Sequence, residues 1–151
     1  MSVADRLAEL GIKLPPVAAP VAAYVPAVRT GDLVYTSGQL PTVAGELAAT
    51  GRVGAEVSIP DATAAARTCA LNALAAVDAL VGLDAVRRVV KVVGFVASAP
   101  GFTDQPVVVN GASELLGALF GEAGQHARSA VGVAELPKGA PVEVELIVEV
   151  G

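Results

Sequence analysis

The sequence is poor in the residues that support several common kinds of chemistry. Aromatic residues make up only 3% of the 151 residues, with no tryptophan, so platforms on which nucleic-acid bases could stack are scarce. A single cysteine, Cys69, excludes an intramolecular disulfide and a multi-cysteine metal site. A single histidine, His126, excludes a two-histidine metal site. We therefore expect no bound metal.

Positive charge is also scarce. Ten Lys and Arg residues face fifteen Asp and Glu residues, giving a net charge of −5, and the short group of Arg87, Arg88 and Lys91 is no basic stripe of the kind that binds nucleic acid. No apolar run reaches the ~20 residues that cross a bilayer. The N-terminus lacks the cationic and then hydrophobic segments of a secretory signal. We expect a cytoplasmic protein without nucleic-acid or membrane partners.

Apolar residues are abundant instead. They make up 54% of the chain, against 17% charged residues, in a length that suits one domain. Such a fraction suggests apolar surface buried between subunits, because exposed apolar patches usually mark contacts. Alanine and valine also inflate the count, so this feature alone leaves the oligomeric state open.

The pattern of apolar residues and breakers predicts a single α+β domain over residues 1–151, with an N-terminal extension over residues 1–20. A proline-rich extended arm is predicted over Leu14–Pro26 and a turn over Pro41–Glu46. Helices are predicted over Val3–Glu9, Pro60–Val81 and Pro106–Phe120. Strands are predicted over Asp32–Thr36, Leu47–Val53, Arg88–Ala97, Ser129–Ala134 and Val142–Val150. This order favours two helices packed on one face of a mixed sheet.

The densest motif lies near the C-terminus. Arg128 opens a small apolar run, a Leu-Pro-Lys turn follows at 136–138, and the next strand carries Glu143 and Glu145. A guanidinium can hold a planar carboxylate through two parallel hydrogen bonds. If the two strands form a hairpin, Glu143 returns close to Arg128. Glu145 has the same strand phase, so either glutamate could face a shared cleft.

A second motif joins Tyr24 to the run Tyr-Thr-Ser-Gly-Gln-Leu-Pro at 35–41. Together, in this order, the two motifs resemble those of the RidA/YjgF family, the reactive enamine/imine deaminases, from roughly Pro20 to the C-terminus. The resemblance implies a chorismate-mutase-like fold and a homotrimer. It also implies clefts between subunits, where the arginine of one subunit faces groups from the next.

The resemblance implies roles for the charged residues and for the backbone beside them. Arg128 would hold the substrate carboxylate and Glu143 would hold or activate a water. The backbone near Ala130 would orient the ligand, although many deaminating members have a cysteine at that position. His126 reads either as a surface loop residue or as a general base.

Four further residues are candidates for lining the cleft. Tyr24 would close over the ligand, or serve as a core or interface aromatic. Ser37 would line the site, or stabilise a turn. Either Asn110 or Ser113 matches a family asparagine, and Asn110 could also be a helix cap.

The activity that the resemblance implies is hydrolysis of 2-imino and 2-enamino acids to 2-oxo acids and ammonia, which needs no cofactor. The alternative is a non-catalytic module that binds a small carboxylate-bearing metabolite. Ribonuclease activity has also been attached to the family, but the acidic charge and the few aromatics argue against it here.

Overall fold

A computed structural model describes residues 1–20 and 22–151. These described residues form three α-helices and seven strands. The helices are α1 (Val3–Glu9), α2 (Ile59–Val81) and α3 (Gln105–Phe120). The strands are β1 (Ala27–Thr30), β2 (Leu33–Thr36), β3 (Thr42–Val43), β4 (Glu46–Leu47), β5 (Val86–Ala97), β6 (Ala127–Val133) and β7 (Val142–Val150).

Five of the strands form one mixed sheet in the order β1-β2-β7-β5-β6. Only β5 and β6 run parallel, joined by α3 as a crossover helix. Burial alternates along β7: Val142 and its even-numbered successors are buried, whereas Glu143 and its odd-numbered successors are half-buried. One face of the sheet is therefore covered by α2 and α3, and the α+β architecture with helices on one face is confirmed.

Helix α2 has clear local signals at both ends. The Ser58 hydroxyl accepts a hydrogen bond from the Asp61 amide, Pro60 occupies the first turn, and Gly82 ends the helix at φ 80°. By length and composition alone this helix could cross a membrane, but half of its most apolar window is buried inside the protein. That burial is typical of a core helix. Cys69 is fully buried on it, as expected.

Helix α3 forms although Val107, Val108 and Val109 are weak helix formers. Tertiary packing compensates, because Val108 and Val109 are fully buried. Gly111 lets α3 approach α2 closely, since a Cβ at this position would collide with the Thr63 carbonyl. The predicted helix is confirmed, and its glycine serves contact between helices.

One strand predicted in the N-terminal half is wrong, and another strand there was not predicted. The predicted return strand over Leu47–Val53 is absent: the chain pairs earlier, as a hairpin of β3 and β4 inside the predicted turn. Ala44 and Gly45 both have positive φ, which is the geometry of a tight hairpin turn. Strand β1 had no sequence prediction. It pairs with β2 from the sheet edge and is largely exposed, so its residues lack a buried stripe.

The N-terminal extension is attached to the domain. Helix α1 has a capping box between Ser2 and Asp5. The Val3 amide donates to Asp84 Oδ1 at 2.9 Å, and the Arg6 guanidinium donates through Nε to the Ala118 carbonyl at 2.8 Å. These bonds hold α1 against the ends of the helix layer, and the arm then continues towards Tyr24.

Candidate functional site

The strand order separates Arg128 from Glu143, so the predicted hairpin between their strands is wrong. Strand β5 lies between β6 and β7. Arg128 pairs with Val92, and Val92 pairs with Leu146, three residues from Glu143. Paired residues share a face and odd offsets change face. Arg128 therefore lies on the helix side and Glu143 on the opposite side, two strands apart.

Arg128 is held by the beginning of α3. Nη1 donates to Asn110 Oδ1 at 2.7 Å and to Ser113 Oγ at 3.2 Å. Nη2 donates to the Pro106 carbonyl at 3.2 Å. Both alternatives for the family asparagine thus contact the same arginine. A guanidinium has five N–H donors; within the described chain three are used, which leaves Nε–H and one Nη2–H.

His126 extends this cluster. Its Nδ1 lies 2.6 Å from the Gly124 carbonyl, which only accepts, so Nδ1 carries the proton. The other ring nitrogen, Nε2, lies 2.8 Å from Ser113 Oγ. In the neutral tautomer the Ser113 hydroxyl donates to Nε2 and its oxygen accepts from Arg128. His126 lies in a loop, as predicted. Its contact with Arg128 through Ser113 was not predicted, although a residue two positions before Arg128 can point to the same side of the chain.

Glu143 lines a separate pocket of about 500 Å³, on the other side of the sheet from Arg128. Gly38 lies directly against its carboxylate, so closely that any Cβ there would collide with Glu143 Oε1. Burial raises the pKa of the Glu143 carboxyl, and the charge of Glu145 raises this pKa further. A carboxyl group with a raised pKa, facing a pocket, is a candidate for proton transfer.

Two polar residues of this pocket were not among the predicted site residues. Asn72 is buried, and its Nδ2 donates to the Leu40 and Thr42 carbonyls, each at 3.0 Å. Since both amide hydrogens are used, Asn72 can offer only its Oδ1 acceptor to a ligand. Gln39 is also buried and lines the pocket. An amide on the apolar stripe of α2 was the available signal for Asn72.

The pocket also contains backbone in an unusual conformation. Among the described residues, Ala44 and Lys138 are the non-glycine residues with positive φ, 52° and 59°. Both line the Glu143 pocket. Left-handed backbone disfavours residues with a Cβ and is often found at functional sites. This placement adds to the case that the pocket binds a ligand.

Tyr24 and Ser37 lie beside the same pocket. Tyr24 is 44% exposed and forms part of the pocket wall. The Ser37 hydroxyl donates to the Val25 carbonyl at 2.6 Å, while the Ser37 amide donates to the Pro26 carbonyl at 2.8 Å. Ser37 therefore fastens the arm that carries Tyr24, which is the turn-stabilising reading of this serine. Its oxygen keeps the capacity to accept a hydrogen bond.

Ala130 lies in the same strand as Arg128. It pairs with Gly94, packs partly buried against the core, and shares the helix side of the sheet with Arg128. Strand β6 is the last strand of its sheet, so one edge of its backbone has no strand partner among the described residues. Backbone groups at this edge are available to a ligand beside Arg128.

Within residues 1–20 and 22–151 no group of three or more His, Cys, Asp and Glu side chains is arranged to hold a metal ion. The expectation of a site without metal stays a prediction.

Comparison with known proteins defines the family. The model of the Endoribonuclease L-PSP family matches residues 16–150. Protein TCP17 of Trypanosoma cruzi is 50% identical over 149 residues, covering 97% of this chain and 93% of that protein. Atu1372 of Agrobacterium tumefaciens, a crystal structure described as of unknown function, has a TM-score of 0.91 and 48% identity, covering 99% of this chain and 92% of that one.

A structural relative with a lower similarity is TdcF of E. coli, solved with bound serine. Its TM-score is 0.64 at 26% identity, and the match covers 91% of this chain and 94% of that one. The fold and the sequence therefore agree on one class, a small mixed α+β domain of the YjgF type. The chain belongs to the Endoribonuclease L-PSP family, which is the YjgF/RidA family.

Proposed function

We propose that the protein hydrolyses reactive 2-imino and 2-enamino acids to 2-oxo acids and ammonia, at sites shared between the subunits of a cytoplasmic homotrimer. The observation that carries this proposal is the hydrogen bonding of the Arg128 guanidinium. Three hydrogen bonds to residues of α3 hold the guanidinium in place, and two N–H donors remain. Two donors on one planar group match the two oxygens of a carboxylate.

Arg128 binds the substrate carboxylate in this mechanism, with backbone groups at the β6 edge near Ala130 orienting the ligand. A water held by Glu143 attacks the imine carbon, and Glu143 accepts a proton from it. The C–N bond then breaks as the carbonyl forms, and nitrogen leaves as ammonia after receiving protons. The reaction is already fast in water, so positioning and electrostatics supply the modest acceleration needed. No cofactor takes part.

A second subunit is required because one chain does not bring the two halves together. Arg128 and Glu143 lie on opposite sides of the sheet and two strands apart. A cyclic trimer can place the β6 edge of one subunit against the Glu143 pocket of the next. Tyr24 and Ser37 then belong to the subunit that supplies Glu143.

Small-molecule chemistry suits the charge and the relatives. TdcF, a family neighbour, was crystallised with serine, a small molecule with a carboxylate. Ribonuclease activity, named in the family description, fits poorly with a net charge of −5 and the few aromatic residues.

Turnover is tested by generating a 2-imino acid in situ with an amino-acid oxidase and following formation of the 2-oxo acid. We expect acceleration by the wild-type protein and none by Arg128→Ala. Saturable binding of a 2-oxo acid without acceleration for several imino acids would favour the non-catalytic binding module.

The shared site is tested by mixing subunits. Arg128→Ala and Glu143→Gln should each be inactive alone, but co-refolded in equal amounts they should recover about a quarter of the wild-type sites. About three in four random cyclic trimers are mixed, and each mixed trimer contains one intact pair among its three sites. No recovery, in mixtures whose mass confirms mixed trimers, would mean that each site lies within one chain. A stable monomer at micromolar concentration in light scattering would also contradict the model.

A further inference from the structure

The Glu143 pocket has a wall that the proposed chemistry does not use. Six consecutive residues, Pro15 to Pro20, line it. Three of them are prolines, whose rings fix φ and make an extended segment stiff. The remaining three, Val17, Ala18 and Ala19, are small and apolar. The wall is therefore a stiff apolar surface in the same pocket as the Glu143 carboxylate.

This wall is held from its N-terminal side. Helix α1 is bound to Asp84 and to the Ala118 carbonyl, and Ile12 and Leu14 pack against the core just before the wall begins. The family model starts at residue 16, so α1 and its anchoring contacts lie outside it. TCP17 and Atu1372 match almost the whole chain, whereas the match to TdcF leaves about a tenth of the chain uncovered.

The pocket is larger than the reacting atoms require. About 500 Å³ falls in the range of pockets that enclose drug-sized ligands. A carboxylate on the neighbouring subunit's Arg128 and an imine carbon at Glu143 would not fill this volume. The remaining lining includes the apolar wall, Leu40 and the Asn72 Oδ1 acceptor. Such a lining favours an apolar group, and Lys138 is the one cation among the described residues that line the pocket.

We propose that the segment Pro15–Pro20 forms a side-chain pocket that selects imino acids with a bulky apolar side chain, aliphatic or aromatic, over three-carbon ones. The inference rests on the proposed function for the orientation of the substrate: carboxylate at Arg128 of the neighbouring subunit, reacting carbon at Glu143, and side chain against the wall. It assigns a role to the N-terminal extension: its last six residues form the selective wall, and helix α1 anchors that wall.

The test compares imino acids generated from alanine, leucine and phenylalanine. Wild-type kcat/KM should be at least about tenfold higher for the two large substrates than for the alanine-derived one. Ala18→Leu narrows the pocket and should lower the large-substrate values about tenfold or more while changing the alanine-derived value less than about twofold. Ala23→Leu, the same change at an exposed arm residue outside the pocket, should change none of them.

The opposite results are equally defined. A wild-type protein that handles the alanine-derived imine as well as the large ones, or an Ala18→Leu variant that lowers all three equally, would overturn the inference while leaving the deaminase intact. If Ala18→Leu folds poorly by circular dichroism, Ala19→Leu on the same wall replaces it.

A protein without turnover would contradict the proposed function but still permit this test. Calorimetry would then compare binding of 4-methyl-2-oxopentanoate with binding of pyruvate. Tighter binding of the larger oxo acid, lost in Ala18→Leu and kept in Ala23→Leu, supports the selective wall. Equal binding of both oxo acids to the wild-type protein overturns it.

Discussion

The Arg128 cluster and the Glu143 pocket are organised in opposite ways. Arg128 is fixed by its own chain: Asn110, Ser113 and the Pro106 carbonyl hold it, and His126 holds Ser113 in turn. Glu143 has a roomy pocket and a carboxyl whose pKa is raised by burial and by Glu145. One region has a preorganised guanidinium, and the other has a carboxylate that forms no salt bridge within the described residues. This complementarity is the main physical reason to expect them to meet across a subunit boundary.

The largest expected effect is on ligand binding by Arg128. Arg128→Lys should weaken binding of a 2-oxo acid by roughly 1.5–3 kcal/mol, because an ammonium cannot make two parallel bonds to a carboxylate. Calorimetry measures the affinity and light scattering the assembly, which should persist. Arg67→Lys, on the exposed side of α2, is the matched control. A variant that bound oxo acids normally but dissociated would make Arg128 an interface residue.

Gly38→Ala tests the position of the Glu143 carboxylate without removing the carboxylate. The new methyl group would collide with Glu143 Oε1, a flexible side-chain end, so the carboxylate must move while the backbone can stay. We expect deaminase activity to fall by about tenfold, or about 1.4 kcal/mol in the barrier, with the melting temperature nearly unchanged. Gly117→Ala, where a Cβ meets nothing within 4 Å, is the control. Unchanged activity would mean that the observed position of the carboxylate is not needed.

Ser113→Ala should have a smaller effect on ligand binding by Arg128. It removes one neutral acceptor from Arg128 and the donor to His126, so affinity for a 2-oxo acid should fall by about 0.5–1.5 kcal/mol. Thr68→Ala, which removes a hydroxyl that bonds within α2, should leave affinity unchanged. An effect as large as that of Arg128→Lys would show that Ser113 contacts the ligand directly.

The smallest effect concerns stability and pH. Because its folded pKa is raised, Glu143 favours the folded state only while protonated; this contribution is present below the unfolded pKa and is lost as pH rises through the folded pKa. Glu143→Gln cannot ionise, so it should be slightly more stable than wild type above that range and equal to it in acid. Denaturant titrations at several pH values measure this, with Glu149→Gln as control. A variant less stable than wild type at neutral pH would indicate that another subunit places a cation next to Glu143.

Much of the fold was predictable because its signals are local. Ser58, Pro60 and Gly82 mark the ends of α2, and the alternation along Val142–Val150 identifies β7. The strand predictions failed where the position of a strand depends on its pairing with other strands. The β3–β4 hairpin is too short to show a period, and β1 has no buried stripe.

The candidate site was predictable only as a list of residues. The motifs picked out Arg128, Glu143 and Tyr24, and the last two do line one pocket. Asn72 and His126 were not recognised as site residues, because their importance comes from distant partners: the Leu40 and Thr42 carbonyls for Asn72, and Ser113 for His126.

By itself, the sequence determined the family, the helices with strong caps, and a list of candidate site residues. Periodicity, capping and turn residues act over a few positions, so they can be read along the chain. The tertiary structure alone decided that β5 enters between β6 and β7. Strand order depends on which distant segments pair, and no local pattern encodes it. That insertion places Arg128 and Glu143 on opposite faces, so one chain does not bring the expected pair together.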